Sequence, residues 1–368
     1  MKYYLIAGEA SGDLHGSNLI KELKKLDTTS IFRCWGGDEM QKAGADLIIH
    51  YRHLAFMGFV EVIRNLSQII YNLKFCKEDI LHYKPDVLVL IDYPGFNLRI
   101  AKWAKQNGFK VIYYISPQVW AWKENRVKGM KTFIDKLFTI LPFEKEYFFK
   151  KWNWNVDYVG HPLVEVVENY KSNHSIEPLA DKPIVALLPG SRKQEIIKKL
   201  PLMLEVSKSF PNYQFIVAKA PGLYDNFYDN LLKGYDNIKT ISNQTYNLLL
   251  QAKAALVTSG TATLETALLN VPQVVCYKAS HITYFIAKKI VTVKYISLVN
   301  LILDKLVVKE LIQQEFTVEN LKTELSNLLS NKQVVETIKN DYSELKQLLS
   351  EGGKASEKTA TAIYQFLH

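Results

Sequence analysis

Short apolar runs alternate with longer segments whose apolar residues recur at helical spacing, and the alternation starts afresh midway along the chain. Lys2–Ala7 reads as a strand, followed by a Gly-rich turn and a helical pattern from about Leu14 to Leu26. Ser30–Trp35 fits a second strand. Across Phe59–Phe75, the residues Phe59, Val62, Ile63, Leu66, Ile69, Ile70 and Leu73 fall on one helix face. Val87–Ile91 is apolar throughout, as a strand covered on both faces must be. Ile100–Gln106 predicts a helix stopped by Asn107-Gly108, and Val111–Ile115, Lys136–Ile140 and Asp157–Val159 predict further strands.

The polar stretch Tyr170–Lys182 interrupts this series. A second begins with the strand Ile184–Leu188, which leads into Pro189-Gly190-Ser191-Arg192 and a helix. Gln214–Val217, Ile238–Ile241, Ala254–Val257 and Gln273–Tyr277 follow as strands, with Thr263–Leu269 helical and mostly helices after about Val318. Strands alternating with helices predict parallel sheets with helices on both faces. Two such series predict an α/β protein of two Rossmann-like domains facing a cleft.

Several predicted strand ends carry chemistry. Gly8-Glu9-Ala10-Ser11-Gly12-Asp13 follows the first strand. It fits either a capped strand–helix turn or a helix N-terminus whose N–H groups meet an anion. Its spacing departs from Gly-x-Gly-x-x-Gly, which argues against NAD. Asp92 follows Val87–Ile91 at a sheet's carboxyl edge, where a carboxylate can take a proton from a substrate hydroxyl or cap the next turn. Gly190, Ser191 and Arg192 form another strand–helix turn, with Arg192 able to grip a phosphate in a bidentate pair. Ser259-Gly260-Thr261 would open a helix suited to a pyrophosphate. Glu265, one turn inside that helix, could accept both hydroxyls of a ribose or serve as a capping-box acid. Neither a P-loop nor a Gly-x-Ser-x-Gly elbow is present, no Asp-x-Asp pair offers to hold a metal on a diphosphate, and His15, His161 and His281 are scattered.

A length of 368 residues suits two domains. Lys+Arg 46 against Asp+Glu 37 gives a formal charge of +9, which suits an anionic partner without choosing one. Cys34, Cys76 and Cys276 are too few and too dispersed for a disulfide framework or a structural zinc site. No run approaches the roughly 18 apolar residues of a spanning helix, and the opening apolar run is short for a signal peptide, so a cytoplasmic protein is expected. Aromatics beside cations recur in Ala55–Arg64, in Trp120-Ala121-Trp122 before Lys123 and Arg126, and in Tyr147–Trp152. That mixture suits an anionic bilayer surface, with Phe56, Met57 and Phe59 as the expected lipid contacts. No RNP, KH or helix-turn-helix pattern supports a nucleic-acid partner.

Taken together, the motifs resemble the lipid A disaccharide synthase family of GT-B glycosyltransferases. The resemblance rests on Ala7–Asp13, Met57–Val62, Ile91-Asp92-Tyr93-Pro94, Tyr114–Trp122, Leu141-Pro142-Phe143-Glu144, Gly160-His161-Pro162, Leu187–Arg192, Ser259–Glu265 and Ser297–Leu301, in the family's order across nearly the whole chain. It implies a GT-B fold and transfer of sugar from UDP-2,3-diacylglucosamine to the 6-hydroxyl of 2,3-diacylglucosamine 1-phosphate (lipid X). Inversion, no metal or other cofactor, and a peripheral position on the inner face of the inner membrane are implied with it. The implied roles are Asp92 as base, and Arg192 with Gly190, Ser191, Ser259, Gly260, Thr261, Glu265 and Asn300 at the donor. Gly8, Glu9, Ser11, Gly12 and Asp13 would lie on the acceptor side. The implied division is 1–165 for acceptor and membrane, 166–345 for the UDP-sugar, and a tail, 346–368, that crosses back or swaps in a homodimer. The family's usual Pro-Asp-Phe-Asn stands here as Pro94-Gly95-Phe96-Asn97, and its Leu-Pro-Asn as Leu298-Val299-Asn300. A UDP-sugar epimerase and a catalytically silent sugar-nucleotide binder are the rival readings.

Overall fold

The computed structural model describes residues 1–54, 66–221, 223–235, 237–280, 284–285, 293–351 and 353–368. The chain divides into two compact units, Met1–Pro162 with Leu349–His368, and Leu163–Leu348. Each is built on one parallel sheet.

In the first unit the strands β1 (Lys2–Ala7), β2 (Ile31–Gly36), β3 (Asp46–His50), β4 (Val87–Ile91), β5 (Lys110–Tyr114), β6 (Lys136–Thr139) and β7 (Asp157–Tyr158) lie in the order β3-β2-β1-β4-β5-β6-β7. Alternate residues of β1 feed opposite faces, as the two-residue period requires. Tyr3, Leu5 and Ala7 join one core with α1 (Ala10–Leu26), while Tyr4 and Ile6 join another with α4 (Pro94–Gln106). β4 is buried throughout, which explains its uninterrupted Val-Leu-Val-Leu-Ile. Fully burying one such side chain is worth about 1.5–3 kcal/mol, so a continuous apolar run specifies a central strand strongly. The last helix, α15 (Ala355–Leu367), packs on α1 and places Ala355, Ala360 and Ile363 in that first core.

The second unit carries β8 (Ile184–Leu188), β9 (Gln214–Lys219), β10 (Ile238–Ser242), β11 (Ala252–Thr258), β12 (Gln273–Tyr277) and β13 (Glu310–Ile312) in the order β10-β9-β8-β11-β12-β13. α8 (Lys193–Ser207) follows β8, α10 (Thr245–Gln251) precedes β11, and α11 (Thr261–Leu268) follows it.

Several elements differ from the sequence pattern. α1 begins at Ala10 rather than near Leu14, so the Gly-rich segment is mostly its first turn. The helix expected over Phe59–Phe75 is seen as α3 (Leu66–Tyr83), its 59–65 portion lying outside the described residues. It runs on because Cys76 and Ile80 continue the buried stripe begun by Leu73. α4 starts at Pro94, with proline in the first turn, where its missing N–H costs nothing. The short α2 (Asp38–Lys42), α5 (Arg126–Phe133), α6 (Pro142–Trp152), α7 (Pro162–Asn173), the edge strand β3 and β13 were not legible as elements. Phe56, Met57, Phe59 and His281 also lie outside the described residues. Among the described residues, no helix is long and apolar enough to cross a membrane.

Candidate active site

In the first unit, β1 and β4 are neighbours from which the sheet winds in opposite directions, the switch point at which open α/β sheets receive ligands. The register pairs Ala7 with Ile91, so Gly8 and Asp92 leave the sheet side by side. Asp92 and Tyr93 both take left-handed backbone, φ 44° and 48°. Such a conformation costs a non-glycine residue on the order of 1–3 kcal/mol and persists only when its surroundings enforce it. They do so here. The Asp92 N–H donates to Tyr114 O at 3.0 Å, and its carbonyl accepts from Asn97 Nδ2 at 2.8 Å and from the Tyr113 hydroxyl at 2.5 Å. Asn97, fully buried, also donates to the carbonyls of Ile6 and Ile91 and so ties both strand ends. The Tyr93 ring lies against Gly8, where a Cβ would fall 2.3 Å from Tyr93 Cγ.

This arrangement aims the Asp92 carboxylate from a rigid edge. Burial pushes its carboxyl up from 3.8 to about 6, the Glu9 carboxylate adds to the rise, and a hydrogen bond from the Tyr93 N–H opposes it. Glu9 is the N-cap residue of α1, Ser11 is exposed on the first turn, and Gly12 is packed on Ala7. A further acid, Glu144, is wholly buried in α6 and pushed up to about 7 by burial. Its carboxylate accepts from the N–H groups of Ile140 and Leu141 and from Trp120 Nε1 at 2.9 Å. The aromatic loop after β5 is thereby pinned.

In the second unit the same geometry recurs at β8 and β11. The register pairs Leu188 with Val257 and brings the two following loops together. They border a cavity of about 240 Å³ lined by Gly190, Ser191, Lys219, Thr258, Thr261 and Glu265, among others. Gly260, φ 152°, is the N-cap of α11 and has no side chain with which to cap the helix N–H groups. The Thr258 hydroxyl is buried beside the cavity without a hydrogen-bond partner among the described residues. Burial raises the Glu265 carboxyl, which accepts from the Tyr246 hydroxyl at 2.7 Å. Ser259 is turned toward Ile296, donating to its carbonyl at 2.9 Å. Arg192 is the exposed N-cap residue of α8, with Nη1 3.5 Å from Glu195 Oε1.

Two expected site residues are committed elsewhere. The buried Asp13 carboxylate accepts the N–H groups of Gly37, Glu39 and Met40, which caps α2 and braces it against α1. Asn300 is buried on α12 (Leu298–Leu303), and both ends of its amide are occupied. Nδ2 donates to Val308 O and Glu310 Oε1, while Oδ1 accepts from the N–H groups of Val307 and Val308. Asn300 therefore supports the segment against which Ser259 rests. His15 and His161, scattered in sequence, are buried neighbours in the first unit; burial pushes them down to about 4 and about 3, so both are neutral. Tyr113 and Tyr246 carry no motif signal of their own, and Asn97 and Thr258 lie inside motifs that do not reveal their partners, since those roles exist only through the strand ends they meet. The aromatic runs also divide: Phe148 is core and Trp120 is tied inward, leaving Trp122 and Phe149 exposed.

A model of the family described as Lipid-A-disaccharide synthetase matches residues 3–364. The Lipid-A-disaccharide synthase of Coxiella burnetii (strain CbuG_Q212) is 38% identical over 373 residues, 99% of this chain and 98% of the relative. The chain belongs to the lipid-A-disaccharide synthase family. The enzyme of that name from Geobacter metallireducens is 37% identical, with 99% of this chain and 96% of its own length covered. Membership makes this chain a glycosyltransferase of lipid A synthesis. Among solved structures, UDP-GlcNAc 2-epimerase from Neisseria meningitidis bound to UDP-GlcNAc superposes with TM-score 0.68 at 15% identity, covering 99% of this chain and 100% of that one. The glycotransferase of kitacinnamycin gives 0.67 at 13%, covering 100% and 99%. At such identities the likeness shows the fold, and this chain has the GT-B fold.

Proposed function

We propose that this glycosyltransferase joins UDP-2,3-diacylglucosamine to lipid X, forming the β-1,6-linked disaccharide 1-phosphate and UDP with inversion at the anomeric carbon. The observation that carries the reading is the Asp92 carboxylate, fixed at the switch point of the first sheet with its carboxyl near 6. A base with that value is ionised at neutral pH yet basic enough to take a proton in the transition state. As the 6-hydroxyl oxygen bonds to the donor C1, its proton passes to Asp92. The C1–O bond to the β-phosphate breaks, and UDP leaves with the bonding electrons.

The leaving diphosphate is met in the second unit. The uncapped N–H groups of α11 give it a fixed partial positive charge, and the cavity holds the buried Thr258 hydroxyl and Lys219. Arg192 exchanges Glu195 for the phosphate, a stronger, charge-assisted pair. Glu265, held by Tyr246, accepts the ribose hydroxyls. That the Neisseria epimerase binds UDP-GlcNAc on the same fold supports a UDP site here. In this scheme no metal is required, and the enzyme acts peripherally at the inner membrane, where both lipids reside.

The test is turnover in detergent micelles containing EDTA, with the disaccharide 1-phosphate followed by mass spectrometry and the anomeric configuration by NMR. A β-linked product in EDTA is expected. An α-linked product overturns inversion, loss of product in EDTA overturns metal independence, and no product with UDP bound favours an epimerase.

A further inference from the structure

Lys123 and Arg126 share the Trp122 ring in the first unit, and the charge of Arg99, on the neighbouring α4, reaches Arg126. Arg126 is the first residue of α5, and its guanidinium carbon lies 5.8 Å from the centre of the Trp122 ring. Lys123, held at φ 63°, places Nζ 4.2 Å from the same ring. Arg99, on the exposed side of α4, donates to Gly95 O at 3.0 Å. Burial and then the charge of Arg126 push Lys123 down, and burial lowers Arg126, with Arg99 lowering it further. Glu124, the acid that lies between Lys123 and Arg126 in sequence, is turned away; Lys151 and the Tyr147 hydroxyl take its carboxylate at 2.7 and 2.6 Å. Among the described residues no carboxylate comes within ion-pair distance of any of the three.

Such a cluster is unfavourable by itself. Like charges repel, partial burial of Arg126 removes some of the water that screens it, and Arg126 stands at the positive end of α5. An arrangement of this kind becomes favourable when an anion fills it. The cluster is also joined to the candidate base. Arg99 bonds Gly95, three residues beyond Asp92, and its charge acts on Tyr93. Arg126 acts on Tyr113, whose hydroxyl donates to the Asp92 carbonyl.

We infer that Arg99, Lys123 and Arg126 form a binding site for a phosphate monoester, the 1-phosphate of the acceptor. The inference rests on the acceptor reading above. Two guanidinium forks suit the oxygens of a phosphate dianion, and Lys123 on its aromatic shelf adds a third charge. The 1-phosphate and the 6-hydroxyl belong to one sugar ring, so gripping the first aims the second at Asp92.

The test compares wild type, Arg99→Gln/Arg126→Gln, Lys123→Gln and, as a control elsewhere on α5, Lys128→Gln. Calorimetry in neutral-detergent micelles measures binding of lipid X and of the same lipid lacking its phosphate. At least a tenfold loss of affinity for lipid X is expected in the double variant, with under a twofold change for the dephosphorylated lipid. In turnover assays the KM for lipid X rises alongside, more than kcat falls, and the KM for the donor stays fixed. Equal losses for both lipids, or no loss, overturn the site. Unchanged lipid X binding with weakened attachment to phosphatidylglycerol vesicles also overturns it and assigns the cations to the membrane surface. Because binding is read without turnover, absence of product counts against the proposed reaction and not against this site.

Discussion

Replacing Asp92 by Asn should slow turnover sharply and stabilise the protein, because the same burial that tunes the carboxylate also penalises its charge. The carboxyl rises from 3.8 to about 6 on folding. A folded-state value above the unfolded one means that the protonated group favours the fold below pH 4, and that this contribution is lost as pH rises through about 6. Above pH 7 the ionised group then costs about 3 kcal/mol. Asn keeps the shape without the charge, so at pH 7.5 the variant should gain about 2–3 kcal/mol, or roughly 5–10 °C in the melting temperature of a unit this size. At pH 4.5 the gap should shrink to about 1 kcal/mol. Loss of the base should lower kcat by about 10²–10⁴-fold. In wild type, kcat/KM should fall about tenfold from pH 7 to pH 5 as Asp92 protonates. The assays are thermal melts of both proteins from pH 4.5 to 8 and initial rates over the same range. A variant no more stable than wild type at pH 7.5 refutes the desolvation argument. Retained turnover refutes the role as base.

Glu265→Gln should raise the KM for the UDP-sugar about tenfold with a smaller change in kcat, since a carboxylate accepts two hydroxyls where an amide oxygen accepts with less strength; UDP titration by calorimetry checks it. Asn300→Ala should lower stability to urea by about 2–4 kcal/mol, because it strands buried partners at Val307, Val308 and Glu310, and an unchanged midpoint would contradict that accounting. Gly260→Ala meets nothing within 4 Å, so crowding is not the difficulty; its φ of 152° is. The expected result is a strain of about 1–3 kcal/mol and UDP affinity at least fivefold weaker, measured on the folded variant.

Much of this protein was legible as pattern. The apolar runs Val87–Ile91 and Ile184–Leu188 could be nothing but central strands, since both faces of such strands are covered. Asp92 and Gly190 stood at their ends, and Gly260 at the end of Ala252–Thr258, where ligands of parallel sheets bind. Edge strand β3 escaped because it is only partly buried, so its composition is mixed. The helix over Leu66–Tyr83 ran past its expected end because Cys76 and Ile80 read as weak signals until a sheet stands beneath them.

What the sequence determined by itself was therefore local: the order of strands and helices, the turns that need glycine, and the chemistry available at each turn. Tertiary structure decided which of those groups remain free to act. Asp13 and Asn300 sit in motifs as promising as that of Asp92, yet the Asp13 carboxylate is taken by N–H groups of α2 and the Asn300 amide by Val307, Val308 and Glu310 in the chain just beyond α12. Asp92 differs because the backbone around it is satisfied by Tyr113, Tyr114 and Asn97 while its carboxylate is left short of water and of donors. Burial and hydrogen-bond partners are properties of the packed chain, and they set which acid is held by backbone donors and which has its carboxyl raised.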